Sequence, residues 1–341
     1  MPPVDLIQRT GRPAVDDYLA GLIGIFEVAF PDRVRAYYLA GSFATADAVA
    51  SSDIDIQVIF KGTFTAGEAE RVTQLRDSCQ RISAFQLDLP VRCEAQYLSG
   101  AEDPLALKTA TLLLHGDDIR DQLVVPPLER YAQLITEAPR RNLARLRAHP
   151  IIRFPLGYPD PTGEFYGYDI GGRTQHFVVA MGWAATAIIV LDAGHYVARK
   201  RDWLEVYRQH IAGAWLPFLS AVYERCRNQW DYAIPVDATG RAALRALCRQ
   251  ALDFENAYLA RYRTYLLDQV AGGDLSGQAW ALDRLAQVIY PDVEVVSAIR
   301  ALADSPVESL RTAARQALAV AGEEPPSFTN GVSVTRVEPS R

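Results

Sequence analysis

The sequence predicts an α+β chain, with a small mixed-sheet domain over residues 1–125 and an all-helical domain over 126–322. Two observations carry this. Helical and strand periodicities alternate through the first hundred residues, and strand signals nearly vanish from about residue 127. From Glu323 to Arg341 the chain turns polar and is expected to form a mobile tail.

Residues 14–29 place Val15, Leu19, Leu22, Ile23 and Phe26 on one helical face. Val34 to Leu39 is a short β-rich run that Gly41-Ser42 interrupts. Ile54, Ile56, Val58 and Phe60 then alternate with Asp53, Asp55, Gln57 and Ile59, which is a strand with one polar face. Helical period returns over 67–85, and Val91 to Leu98 alternates as a third strand. Residues 127–147 read as an Arg-rich helix, and 150–172 as a connection rich in Pro, Gly and aromatics. Helical patterns fill 173–193, 200–228, 239–270, 277–289 and 306–321.

The longest apolar run, Trp183 to Leu191, falls short of the roughly 20 residues that span a bilayer, so no membrane role is expected. No secretory signal is readable at the N-terminus, which makes a cytoplasmic protein the default expectation. The four cysteines have no C-x-x-C spacing, and none of the five histidines sits near one at ligand distance, which argues against a disulfide framework or a zinc site. A net charge of −6, with no stretch of uninterrupted Lys and Arg, argues against a nucleic-acid backbone as partner. Only Lys61, Lys108 and Lys200 are lysines in a chain that otherwise uses arginine.

The informative passage is Leu39-Ala40-Gly41-Ser42, ten further residues, then Asp53-Ile54-Asp55-Ile56. Carboxylates at i and i+2 of a strand share one face, about 7 Å apart along the backbone. Two such charges brought to about 4 Å repel by about 4 kcal/mol at an effective dielectric near 20. A cation between them removes that cost. Mg²⁺ is the natural candidate, because it takes one or two carboxylates together with substrate phosphates. Gly41-Ser42 offers a backbone that can approach phosphate closely, with amides and a hydroxyl as donors. Taken alone, Asp-x-Asp is more often the solvated face of an edge strand. Asp292-Val293-Glu294 has no Gly-Ser at the right distance and reads as surface.

These residues resemble the polymerase-beta-like nucleotidyltransferase superfamily, and the string Ser52-Asp53-Ile54-Asp55 looks most like the aminoglycoside adenylyltransferases. The resemblance covers residues 34–98 closely and the remainder loosely. It implies Mg²⁺-dependent transfer of a nucleoside monophosphate from a triphosphate, with ATP favoured, to a hydroxyl of a small-molecule acceptor, for instance an aminoglycoside-like one, with pyrophosphate leaving. In that reading Asp53 and Asp55 hold the metal, while Gly41 and Ser42 hold the β and γ phosphates. The family's third carboxylate, a metal ligand or general base, matches Glu94 in strand position. Asp88 is second choice, because it lies just before Pro90, where strand pairing is poor. The family's phosphate-binding lysine matches Lys200, beyond Gly194 and before Trp203.

The chain departs from the family in two places. The loop 43–52 lacks the usual glycine and basic residue, and the segment after about residue 270 has no clear counterpart. A nucleotidyltransferase acting on a protein partner is the first alternative. A catalytically degenerate nucleotide-binding protein is the second. The acceptor is expected to be a small hydroxylated molecule oriented by acids of the helical domain (Asp169, Asp253 or Glu255), and the oligomeric state is left open. His115-Gly116-Asp117-Asp118 reads as a strand end with solvated acids, and His176 and His195 as structural. The aromatics of 158–168 read as packing ahead of ring stacking on a ligand.

Overall fold

The computed structural model describes residues 4–102, 104–199 and 202–322. The tail 323–341 and Lys200 lie outside these residues. The chain divides into two compact units, Met1–Pro150 with Pro155–Tyr262, and Ile151–Phe154 with Arg263–Arg341.

In the first unit, Pro13 opens helix α1 (Pro13–Ala29), where a missing N–H costs nothing and φ is already helical. Its buried residues include Val15, Leu19, Leu22, Ile23 and Phe26, the face that the periodicity marks. There follow β1 (Val34–Ala40), the single turn α2 (Gly41–Ala44), β2 (Ile54–Phe60), α3 (Glu68–Ile82), β3 (Leu87–Asp88) and β4 (Val91–Cys93). Helices α4 (Glu94–Leu98) and α5 (Leu105–Thr109) then lead to β5 (Leu112–Gly116). β1 pairs antiparallel with β2 and β5, whereas β3 and β4 run parallel to β2, so the sheet is mixed. Its order is β3-β2-β1-β5, with β4 also beside β2.

Strand alternation sorts β2 between two cores. Ile54, Ile56, Val58 and Phe60 pack with α1 and α3, while Ile59 joins Tyr38, Tyr97 and Leu107 on the other face. Asp55 and Gln57 lie on that second face. The polar face of β2 is therefore covered rather than solvated.

The expected strand 91–98 stops at Cys93. The Gln96 side chain turns back to accept the Cys93 amide at 2.8 Å and starts α4 instead. The expected helix 127–147 is two helices, α6 (Leu128–Ile135) and α7 (Glu137–Leu146). Pro139 has no N–H to return to Ile135, and the ladder restarts there.

Helix α8 (Gln175–Ala193) lies within the expected helical stretch 173–193, and its apolar character extends beyond the run Trp183 to Leu191. With 19 residues and a mean hydropathy of 1.7 it could cross a membrane by length and composition, but 67% of it is buried inside the protein. Met181, Ala184, Ala185, Ile188 and Ile189 make it a core helix. The expected helix 200–228 breaks at Gly213 (φ +70°) into α9 (Trp203–His210) and α10 (Leu216–Ala221), which runs on into a π-helical stretch, Val222–Gln229. Helix α11 (Ala238–Gly272) belongs to this unit as far as Tyr262.

In the second unit, β6 (Ile152–Arg153) pairs parallel with β7 (Val288–Ile289), beside α12 (Leu275–Leu285), α13 (Val293–Ala303) and α14 (Glu308–Gly322). Asp292 caps α13 by accepting the Val295 amide at 3.0 Å and also pairs with Arg263 at 2.7 Å. The acids set aside as surface thus start a helix that the sequence reading missed.

Candidate active site

The turn between β1 and β2 is built around one close approach. Ala40 stands opposite Asp55 in the antiparallel register, and Gly41 follows at φ +65°. A Cβ on Gly41 would lie 1.8 Å from Asp55 Oδ2. Only glycine lets the backbone sit against this carboxylate and take that φ without strain. Asp55 is itself buried, with 7% of its surface exposed. Asp53 and Asp55 point to the same face, and both line a cavity of about 340 Å³ with Gly41 and Ser42. The structure therefore gathers four of the residues singled out in the sequence.

Glu94 is not among them. Parallel pairing of β4 with β2 puts Phe60 beside Cys93, so Glu94 lies past the end of β2 remote from Asp55. Arg35 Nε donates to Glu94 Oε2 at 2.8 Å, and the Gly62 amide donates to Oε1 at 2.7 Å. Burial pushes the Glu94 carboxyl up, but the Arg35 guanidinium, the Gly62 amide and the charges of Arg35 and Lys61 outweigh this and hold it below the usual range. A carboxylate so occupied is a weak base.

Asp88 stands where Glu94 was expected. The β2–β3 register sets Asp88 beside Asp55, and its exposed side chain lines the cavity. Pro90 does not spoil the pairing as the sequence reading assumed. β3 and β4 flank it on one edge of β2, and the Pro90 carbonyl accepts the Val58 amide at 3.1 Å. On an edge, proline loses only a donor that would have pointed away. Among the described residues no group of three or more His, Cys, Asp or Glu is gathered closely enough to hold a metal by itself.

The rest of the wall comes from the helical half. Val178, Val179, Gly182, Trp183 and Thr186 of α8 line the cavity, with Trp203, Tyr223 and Tyr232. A Cβ on Gly182 would meet Trp203 Nε1 at 2.8 Å, so this glycine lets the indole press onto α8. Arg199 and Arg227 also line the cavity, and no motif or spacing marks Arg227 in the sequence. The loop 43–52 is pinned from the same side. Ser51 Oγ donates to Asp231 Oδ1 at 2.8 Å, and Arg173 donates to the Ser51 carbonyl at 3.3 Å.

The acids proposed to orient an acceptor are absent from the cavity lining. Glu255 is buried, accepting from Arg147 Nη2 at 2.7 Å and from the Tyr168 hydroxyl at 3.0 Å. Burial raises its carboxyl above the usual range despite Arg147 and Tyr168. Asp169 and Asp253 do not line the cavity either. Among the aromatics of 158–168, Tyr158 and Tyr166 stack on one another at 4.4 Å, whereas Tyr168 packs against Phe177 of α8 and Phe165 lies under Arg241. His176 sits between Asn142 and Arg145, with burial and the Arg145 charge lowering its pKa to about 4.

No protein-family model matches this chain, and no curated protein matches it. Among solved structures, the chain is similar to spectinomycin adenyltransferase AAD(9) from Enterococcus faecialis, crystallised with ATP and spectinomycin. The two share 11% identity at a TM-score of 0.44, over 70% of this chain and 98% of that one.

Proposed function

We propose that this chain transfers a nucleoside monophosphate from a nucleoside triphosphate, with ATP favoured, to a hydroxyl of a small acceptor, releasing pyrophosphate. The observation that carries the reading is the cradle of Gly41 against Asp55, open to a cavity that Asp53, Asp88 and Ser42 share. Two carboxylates on one strand face suit Mg²⁺, which completes its shell with phosphate oxygens and water. Asp53 and Asp55 would hold the ion, which when bound neutralises charge on the phosphates.

The remaining roles fall to the chain. The Gly41 and Ser42 amides and the Ser42 hydroxyl donate to phosphate oxygens of the leaving pyrophosphate. Asp88, exposed beside Asp55, is assigned the proton of the acceptor hydroxyl in place of Glu94, which pairs with Arg35 beyond the far end of β2. Lys200, outside the described residues, keeps its assignment to the phosphates. Stabilising phosphate charge in place is most of what such a site has to do.

The test is incubation with mixed nucleoside triphosphates, Mg²⁺ and a panel of hydroxylated small molecules, read by mass spectrometry. A nucleoside monophosphate increment on an acceptor is expected, and it names donor and target together. An increment on a protein instead would move the acceptor class. The altered loop 43–52 favours a second reading, a degenerate nucleotide-binding protein. Binding of a triphosphate with Mg²⁺ but no increment on any acceptor would support it, and a chain whose melting temperature ignores both would sink the two readings together.

A further inference from the structure

The loop 43–52 carries no basic residue, yet a cation reaches it from far along the chain. Arg227 Nη2 lies 3.2 Å from Asp47 Oδ2 and donates to the Asp47 carbonyl at 2.5 Å. Its guanidinium carbon sits 5.2 Å from the centre of the Tyr223 ring, and Nη1 donates to Asn228 Oδ1 at 2.9 Å. The Arg227 side chain is only 11% exposed, and that of Asp47 is 25% exposed. Asp47 is braced in turn. Its amide donates to the Ser42 carbonyl at 3.0 Å, and its Oδ1 accepts from the Thr45 hydroxyl. Both members of the pair line the cavity that Gly41, Ser42, Asp53 and Asp55 line.

A guanidinium presents the same donor fork to a carboxylate and to a phosphate, and it stays charged in both settings. A triphosphate brings more negative charge than one aspartate, and its site lies along the same wall. We propose that Arg227 binds the triphosphate, and that Asp47 holds it beforehand as a stand-in for phosphate. The loop would then compete with the nucleotide for its own cation. Entry of the nucleotide would exchange Asp47 for a phosphate and free the loop from Val222–Gln229. This inference rests on the triphosphate reading of the cavity.

The pair is tested by titration calorimetry of the full chain with Mg²⁺–ATP and with Mg²⁺–tripolyphosphate, which needs no base. Arg227→Gln should weaken both ligands about 10–100-fold, the range expected for losing a hydrogen bond to a charged group. Asp47→Asn should tighten both by about 3–10-fold, as removal of a competing partner does. In the Arg227→Gln background Asp47→Asn should change nothing. Equal tightening in that background would reduce the effect to lost negative charge and overturn the exchange. Weakening by Asp47→Asn, in step with a lowered melting temperature, would make the pair a structural clamp and overturn it as well. Should Arg227→Gln fail to fold, Arg227→Lys keeps the charge without the fork, and unchanged affinity there would also count against the proposal. A wild-type chain that binds neither ligand removes the triphosphate reading itself. Unchanged affinity for both ligands in Arg227→Gln removes this inference alone.

Discussion

Gly41 and Asp55 occupy one another's space so closely that a single methyl on the glycine would fall 1.8 Å from the carboxylate oxygen. Gly41→Ala should therefore displace Asp55 and lower kcat/KM about 100-fold or more, as misplacement by an ångström can. Gly62 has a similar φ of +61° but nothing within 4 Å of an added Cβ. Gly62→Ala should cost about 1 kcal/mol of stability from backbone strain and leave transfer intact. Equal kinetics in the two variants would show that the close approach does not matter.

Asp53→Asn and Asp55→Asn should each abolish measurable transfer while the circular dichroism spectrum stays native. Asp88→Asn should keep Mg²⁺-dependent triphosphate binding and slow turnover by about 10²–10⁴-fold if it takes the acceptor proton. Loss of binding with normal residual turnover would make Asp88 a metal ligand only.

Glu94→Gln should leave kcat unchanged and lower stability by about 1 kcal/mol, the scale of a partly exposed ion pair. The folded-state pKa of Glu94 lies below its unfolded value, so its stabilisation is present above the ordinary glutamate range and lost as pH falls through the folded value. The difference in unfolding free energy between wild type and Glu94→Gln should accordingly shrink on acidification. A turnover defect at neutral pH would return Glu94 to the reaction.

Glu255→Ala strands the Arg147 guanidinium in the interior and should cost about 3–5 kcal/mol in urea unfolding. The variant that still folds should keep the wild-type KM for acceptor, because Glu255 does not line the cavity. A raised acceptor KM at unchanged stability would put Glu255 back among the orienting acids.

Single- and double-stranded oligonucleotides, titrated at about 50 mM and 200 mM salt, should bind weakly at both, since tight backbone binding falls steeply over that range. Tight, steeply salt-dependent binding would mean that the acceptor is a nucleic acid.

What the sequence determined was local. The period-2 run Ile54 to Phe60 fixed a strand and put Asp53 and Asp55 on one face, and the 3.6 period of α1 named its buried residues before any packing was known. Gly41-Ser42 marked the turn, because the passage has few ways to reverse direction after β1. The tertiary structure decided which distant groups meet those residues. Glu94 and Asp88 are both acids near a third strand in sequence, and only parallel register against β2 tells them apart: one pairs level with Asp55 and the other beyond Phe60. Pro90 misled because a missing donor matters in a central strand and not at an edge. Arg227 reaches Asp47 across 180 residues of chain, and no local periodicity encodes a contact between groups so far apart in sequence.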